Sequence, residues 1–341
     1  MVIMNNINLI NFLPILSIIS TFLFFLFFEK IKSIINIYDN GSLDKRKIHL
    51  GNIPPIGGII FNFIFSVYFV FNIYFNVENS LIFNLKEQIV ILITSNIIFF
   101  VGLIDDKYSL PPLKKSFIFL IIILILILNS PQLQIRFVRL ETFETIITLE
   151  DFTIFFTVFC IFCFMNAFNM FDGINLQSGF YLLLFFLIFL IKGIDSLFFI
   201  SLLIPLILFL YYNYRNKIFL GNNGTYFLSF LISIYLIKSN IVLSTFSVEE
   251  ILILLIIPGL DMLRLFVIRF IKGKSPFLPD KNHLHHLLLK KHNQFTVSLI
   301  IIMLTIIPYL IFILFLNNLN VLFLQFLFYF ILIYQNKVKT I

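Results

Sequence analysis

The chain has 341 residues, 60% of them hydrophobic and only 12% charged, with a net charge of +7 and a mean hydropathy of +1.05. Soluble domains carry roughly 25% charged residues, so a soluble globule is excluded, and the basic excess does not imply a nucleic-acid partner. The 48 Phe, the many Ile and Asn and the absence of Trp resemble the codon bias of an AT-rich genome and are not read as a binding feature.

Eleven apolar runs are expected to span a bilayer as helices, near Ile7 to Phe28, Ile56 to Phe75, Gln88 to Ile104, Leu113 to Leu128, Phe152 to Phe168, Gly179 to Ile191, Leu197 to Tyr212, Thr225 to Ile237, Glu250 to Phe270, Thr296 to Leu316 and Val321 to Tyr334. Several fall short of the roughly 20 residues that a 30 Å hydrocarbon core asks for and must extend into their flanks. The reading is one all-α polytopic membrane domain over residues 1–341, with no repeat or linker to mark a second. With the N-terminus outside, 19 of the 24 Lys and Arg fall on inward segments, and only Lys86, Arg136, Arg139, Lys192 and Lys238 fall outward. That asymmetry predicts an outward N-terminus and an inward C-terminus. The first span lacks a basic start and a cleavage site, so it is expected to be retained. Cys160 and Cys163 share a helical face inside an apolar run and read as buried small hydrophobes.

The polar clusters lie on the inward side. The first inward loop carries Lys45-Arg46-Lys47-Ile-His49 before a Pro54-Pro-Ile-Gly57-Gly58 turn; topological bias alone accounts for the basic run, less readily for the histidine and the paired glycines. Asp105 and Asp106 close the third span beside Lys107, Lys114 and Lys115, a placement that suits a divalent cation and a phosphate. After the fifth span, Asn166, Asn169 and Asp172 recur every three residues and on a helical turn would present three oxygen-bearing side chains in one direction. Such a row at a bilayer edge needs a partner, such as a metal ion or a nucleotide. Gly221-Asn222-Asn223-Gly224 opens a helix whose free N–H groups attract phosphate oxygens. Four of the five histidines lie between residues 283 and 292. Charged, they can hold phosphate; a three-histidine zinc site is the competing reading, although His283-x-His285-His286 does not put all three rings on one helical face.

Five motifs in order, Arg46-Lys47-x-His49-x-Gly51-x-x-Pro54-x-x-Gly57-Gly58, Gly102-x-x-Asp105-Asp106, Asn166-Ala-Phe-Asn169-Met-x-Asp172-Gly173-Ile, Phe219-Leu-Gly221-x-x-Gly224 and Pro276-Phe-x-Pro279-Asp280-x-x-His283-x-His285-His286, resemble those of the polyprenyl-phosphate N-acetylhexosamine-1-phosphate transferases over essentially the whole chain. The last motif has the form of that family's WecA branch. The resemblance implies attack by a polyprenyl phosphate on the β-phosphorus of a UDP-N-acetylhexosamine, with Mg²⁺ or Mn²⁺, on the cytoplasmic face of a bacterial inner membrane, and it allows a homodimer. It casts Asp105 and Asp106 in the metal-assisted step and His283, His285 and His286 against the diphosphate or sugar. Asn169 and Asn222 become metal ligands, Asn166, Asp172 and Asn175 fall in the nucleotide-binding motif, and Lys47, His49 and Lys115 face the lipid phosphate.

Two departures stand out. The family turn Gly-Asp-x-Gly-Ser is Gly221-Asn222-Asn223-Gly224-Thr225 here, an amide where a metal-binding carboxylate is expected, and Asp-Gly-Ile-Asp-Gly is Asp172-Gly173-Ile174-Asn175-Leu176. The first motivates a rival reading, a catalytically impaired relative that binds UDP-sugar or lipid. A transporter or scramblase is a further rival; it would need ionisable residues at mid-span.

Overall fold

The computed structural model describes residues 13–40, 51–75, 83–276, 280–315 and 319–338. Its long helices are α1 (Leu13–Leu26), α2 (Phe28–Ile35), α3 (Gly57–Tyr74), α4 (Leu85–Tyr108), α5 (Pro112–Asn129), α6 (Thr153–Phe171), α7 (Gln177–Ile191), α8 (Ser196–Tyr214), α9 (Gly221–Leu243), α10 (Val248–Ile271), α12 (Gln294–Leu314) and α13 (Asn320–Val338), with a five-residue α11 (Leu284–Leu288) before α12. Eight of them, α3 to α6, α8 to α10 and α12, are long and apolar enough to cross a membrane; α1 and α2 qualify together but bend by 71°, and α7 and α13 are shorter apolar helices. The protein is an all-α, multi-pass integral membrane protein, and each of the eleven expected runs carries a helix.

The short runs extend as anticipated, and at two places the extension matters. The third run continues past Ile104 to Tyr108, so Asp105 and Asp106 ride in the last turn of α4, which starts at a capping box of Asn84 and Glu87 and stops where Ser109 turns left-handed (φ 51°). The eighth run begins four residues early, so Gly221 to Gly224 form the first turn of α9 and not a loop before it.

Helix α9 is the most enclosed span, with 72% of its apolar window buried, and packs on α3, α4 and α6. Two short antiparallel strand pairs lie outside the bundle. In one, β1 (Asp39–Asn40) pairs with β2 (Asn52–Ile53); in the other, β3 (Phe137–Leu140) pairs with β4 (Thr145–Thr148) in a hairpin at the helix ends remote from the motifs.

In lipid, helices gain little from burying apolar surface against one another, so close packing and hydrogen bonds must hold them. Asn62 of α3 donates to Asn96 of α4 (3.1 Å), which also meets Ser66. Lys238 of α9 pairs with Glu87 of α4 at 2.6 Å, both buried. A third device involves the prolines. Pro205 in α8, Pro258 in α10 and Pro308 in α12 have no N–H to give, which frees the carbonyls of Ser201, Leu254 and Leu304. Each freed carbonyl accepts from another helix: Ser17 of α1 donates to Ser201, Tyr181 of α7 to Leu254, and Gln325 of α13 to Leu304 (2.9 Å).

A double-mutant cycle tests this arrangement. Ser17→Ala is expected to cost about 1–3 kcal/mol by orphaning the Ser201 carbonyl, and clearly less in a Pro205→Ala background, where residue 205 regains its N–H. Thermal unfolding in detergent reads the coupling, and equal costs in the two backgrounds would show that the carbonyl is not the reason.

Candidate active site

The polar motifs meet at one end of the bundle. At its centre Asp106 accepts, through Oδ1, from the backbone N–H of Asn222 (2.8 Å) and, through Oδ2, from the N–H of Asn223 (3.0 Å) and from Asn223 Nδ2 (2.6 Å). These are the free donors that the first turn of α9 leaves unpaired, so the anion at this helix start is a protein carboxylate, where the sequence suggested phosphate. Asn223 Nδ2 also donates to the Pro55 carbonyl (2.6 Å), and Gly57 and Gly58 donate their N–H groups to the carbonyls of Phe219 and Leu220, so the Pro-Pro-x-Gly-Gly segment is pinned to the start of α9. Two glycines permit the approach. A Cβ on Gly58 would collide with Asn223 and Gly224, and one on Gly102 would lie 2.6 Å from the Asn223 Cα and 2.7 Å from the Asn222 carbonyl.

Asn222 Oδ1 accepts from Asn169 Nδ2 (2.7 Å), which also reaches the Thr225 hydroxyl (2.8 Å), while Asn169 Oδ1 accepts from Tyr226 (2.9 Å). The Tyr226 ring lies 5.1 Å from Lys115 Nζ. That ammonium is already paired with Asp105 at 2.7 Å, and Asp105 accepts from the Leu110 N–H (2.8 Å) as well. The two adjacent carboxylates therefore differ: Asp105 is buried and neutralised by Lys115, whereas Asp106 is held by uncharged donors.

The row expected from Asn166, Asn169 and Asp172 is not a single face. Asn166 turns its amide back to the Phe162 carbonyl (2.8 Å), and α6 ends at Phe171, so Asp172 leaves the helical register and accepts from Ser178 (2.5 Å). Burial pushes the Asp172 carboxyl up to about 6, against the lowering effect of Ser178. Asn175 donates to Asn216 (2.6 Å) and its carbonyl accepts from Ser298 of α12 (2.8 Å).

The histidine loop closes over the same end of α6, because His285 lies against Gly173, where a Cβ would collide with its ring. The His285 ring stacks on His283, with centroids 5.3 Å apart, and lies 4.4 Å from His286. Burial, then the neighbouring His283 and His286, drives His285 well below the ordinary imidazole range; burial, His283 and Lys281 bring His286 down to about 4. Arg269 donates to Asp280 (3.0 Å), two residues before this loop. The histidines do not assemble a metal site: among the described residues no three His, Cys, Asp or Glu side chains are placed to hold an ion. Lys47 and His49 lie outside the described residues.

Oxygen atoms suited to a hard cation do gather here. Asp106 Oδ1, Asn169 Oδ1 and Asn222 Oδ1 each accept one hydrogen bond and keep a second lone pair. One carboxylate and two amide oxygens fit Mg²⁺ or Mn²⁺, which commonly takes its remaining ligands from water and substrate phosphates. An apolar groove of about 380 Å³ runs between α6, α9 and α10 from the β3 strand, at the helix ends remote from the motifs, inward to Ala167 and Met262, with Cys160 and Cys163 in its wall and none of the polar site residues lining it.

Residues 88–240 match the sequence profile described as glycosyl transferase family 4. The chain is 27% identical to the undecaprenyl-phosphate alpha-N-acetylglucosaminyl 1-phosphate transferase of Thermotoga maritima, over 76% of each chain. It is 28% identical to the Salmonella typhi protein of the same name, over 73% of this chain and 70% of that one. With the probable undecaprenyl-phosphate N-acetylglucosaminyl 1-phosphate transferase of Bacillus subtilis it shares 27% identity over 77% and 74%.

Across residues 88–240 the chain is similar to glycosyl transferase family 4.

Sequence reasoning overlooked Tyr226, Asn223 and Ser178, which tie the named residues together. Their hydroxyl and amide groups are indistinguishable in sequence from the many structural ones in these helices. Asp261 and Arg264 did leave a signal, a charged pair three residues apart inside an apolar run.

Two outcomes follow from this geometry. Gly102→Ala is expected to destabilise by about 1–3 kcal/mol through overpacking against α9, whereas Gly259→Ala, on a helix with open space around it, is neutral or mildly stabilising; equal melting shifts would contradict the close approach. Asp172 is the second case. Its carboxyl titrates at about 6 when folded and near 3.8 when unfolded, so between those values the native state binds the extra proton and stability falls as pH rises. Asp172→Asn should therefore raise the melting temperature at pH 8 and give little gain at pH 4, and the same gain at both would rule this out.

Proposed function

We propose that the protein transfers an N-acetylhexosamine 1-phosphate, GlcNAc 1-phosphate in the first instance, from a UDP-sugar to undecaprenyl phosphate, as the first membrane step of a cell-envelope glycan. An oxygen of the lipid phosphate attacks the β-phosphorus; its bond to the bridging oxygen of UMP breaks, and the products are undecaprenyl-diphosphate-sugar and UMP. The observation that carries this reading is the convergence of Asp106, Asn169, Asn222 and the histidine loop at one end of a bundle of membrane-spanning helices. It gives a water-soluble donor and a lipid acceptor one meeting place. Relatives bearing the undecaprenyl-phosphate transferase name support the same reading. The Lys and Arg asymmetry supports a cytoplasmic face for the site.

Both substrates carry negative phosphate, so the chemistry needs positive charge and oriented donors. In this reading Lys115, held by Asp105, meets the lipid phosphate together with Lys47 and His49. Asp172 and Asn175 orient the nucleotide, and His283, His285 and His286 face the diphosphate. Asp106 orients or deprotonates the attacking phosphate. Asp106, Asn169 and Asn222 would hold a divalent cation, which would supply Lewis-acid stabilisation of the developing charge.

The amide at Asn222 favours a second reading, a relative that binds the same substrates without turning them over. Purified protein with undecaprenyl phosphate, Mg²⁺ and a panel of UDP-N-acetylhexosamines separates the two. UMP release is expected with at least one donor, and its absence with all of them supports the binding-only reading. Asn222→Asp is expected to lower the Mg²⁺ concentration for half-maximal turnover, because a full charge replaces a dipole; an unchanged or higher requirement removes residue 222 from the ligand set.

A further inference from the structure

In the middle of α10 a carboxylate and a guanidinium, Asp261 and Arg264, lie three residues apart, and three other segments converge on them. Asp261 Oδ1 accepts from Arg264 Nη2 (2.8 Å), from the Tyr329 hydroxyl of α13 (2.8 Å) and from the N–H of Leu284 at the start of α11 (3.1 Å). Arg264 donates through Nε to Tyr329 (2.9 Å) and through Nη2 to the Asn282 carbonyl (2.6 Å). The second oxygen, Asp261 Oδ2, faces Nδ1 of His283 at 2.7 Å.

The donors determine where the protons sit. Tyr329 accepts from Arg264, so its own proton points to Asp261. With a guanidinium alongside and a tyrosine and a backbone N–H donating to it, Asp261 is held as the carboxylate. A carboxylate offers only lone pairs, so the contact at 2.7 Å requires the His283 proton on Nδ1. Nε2 is then the one nitrogen on that ring free to take a proton or accept a hydrogen bond.

We propose that Asp261 is a positioning residue: seated by Arg264 and Tyr329, it fixes His283 as the Nδ1–H tautomer and presents Nε2 to the phosphate groups that meet at the histidine loop. What Nε2 touches rests on the transferase reading above; the tautomer does not. The groups around His283 are Asp261 and Arg264 from α10, Tyr329 from α13, His285 and His286 from α11, and Asp280 and Lys281 from the preceding segment.

The test uses the full-length protein in detergent or nanodiscs. In ¹⁵N spectra of histidine-labelled protein at pH 8, with His283→Gln assigning the resonance, the wild type is expected to show a protonated Nδ1 and an unprotonated Nε2, and Asp261→Asn a mixture. An Nε2–H form in the wild type overturns the proposal whether or not UMP is released. An Nδ1–H form in a protein that releases no UMP overturns the transferase reading alone. In the enzyme, Asp261→Asn is expected to lower kcat about 100-fold with KM for the donor within about threefold. Asp261→Glu, which keeps the carboxylate acceptor, is expected to retain the Nδ1–H form and most of kcat. If Asp261→Asn leaves the Nδ1–H form unchanged, or Asp261→Glu loses it to the same extent, the residue is a structural anchor only. The wild-type spectrum decides the tautomer even if Asp261→Asn does not fold.

Discussion

A carboxylate at the start of a buried helix organises this molecule. The first turn of α9 exposes backbone N–H groups in a region where hydrocarbon gives way to water, and leaving them unmet would cost several kcal/mol. Asp106 meets two of them from the last turn of α4. That one contact joins the end of one span to the beginning of another. It also needs Gly102 and Gly58 as small residues, because any Cβ there would push α9 away. The neighbours then fall into place: Asn222 is turned towards Asn169, Asn169 towards Tyr226, and Tyr226 lies over the lysine that Asp105 holds.

A second junction, around Asp261, does for the histidine loop what Asp106 does for α9. It gathers α10, α11 and the last helix onto one carboxylate. Both junctions place an acidic group where neutral or cationic donors surround it, which is the condition for keeping a charge at a membrane boundary. They differ in what surrounds them. Asp261 is matched by a guanidinium, whereas Asp106 is matched only by amides and keeps a lone pair on Oδ1 for something else to use.

Much of this was legible in the residues, and the parts that were not have physical reasons. Long apolar runs give helices directly, and every expected run has one. Run ends were less readable, since the ends of α4 and α9 are polar and still helical: Asp105 and Asp106 belong to a helix that closes only at Ser109, and Gly221 opens one despite its positive φ. The candidate site residues largely meet, but periodicity misread Asn166, whose side chain returns to its own backbone, and Asp172, which lies one residue past the helix end. Sequence spacing describes a helix that continues; it does not say where the helix stops. Nor could it show that the helix start expected to cradle phosphate is already filled by Asp106, because that depends on which two ends touch in space.

The three prolines within spans have a consequence for assembly. A helix in lipid is complete in its own hydrogen bonds and has little reason to prefer one neighbour over another. A proline makes it incomplete at one level, and here the missing donor resides on a different helix each time: Ser17 lies 184 residues before the carbonyl it caps, Tyr181 lies 73 before its own, and Gln325 lies 21 beyond its own. Such a vacancy works as a key. It rewards one partner, at one depth and one rotation, so helices inserted separately can be sorted into a single arrangement without a solvent to drive them together.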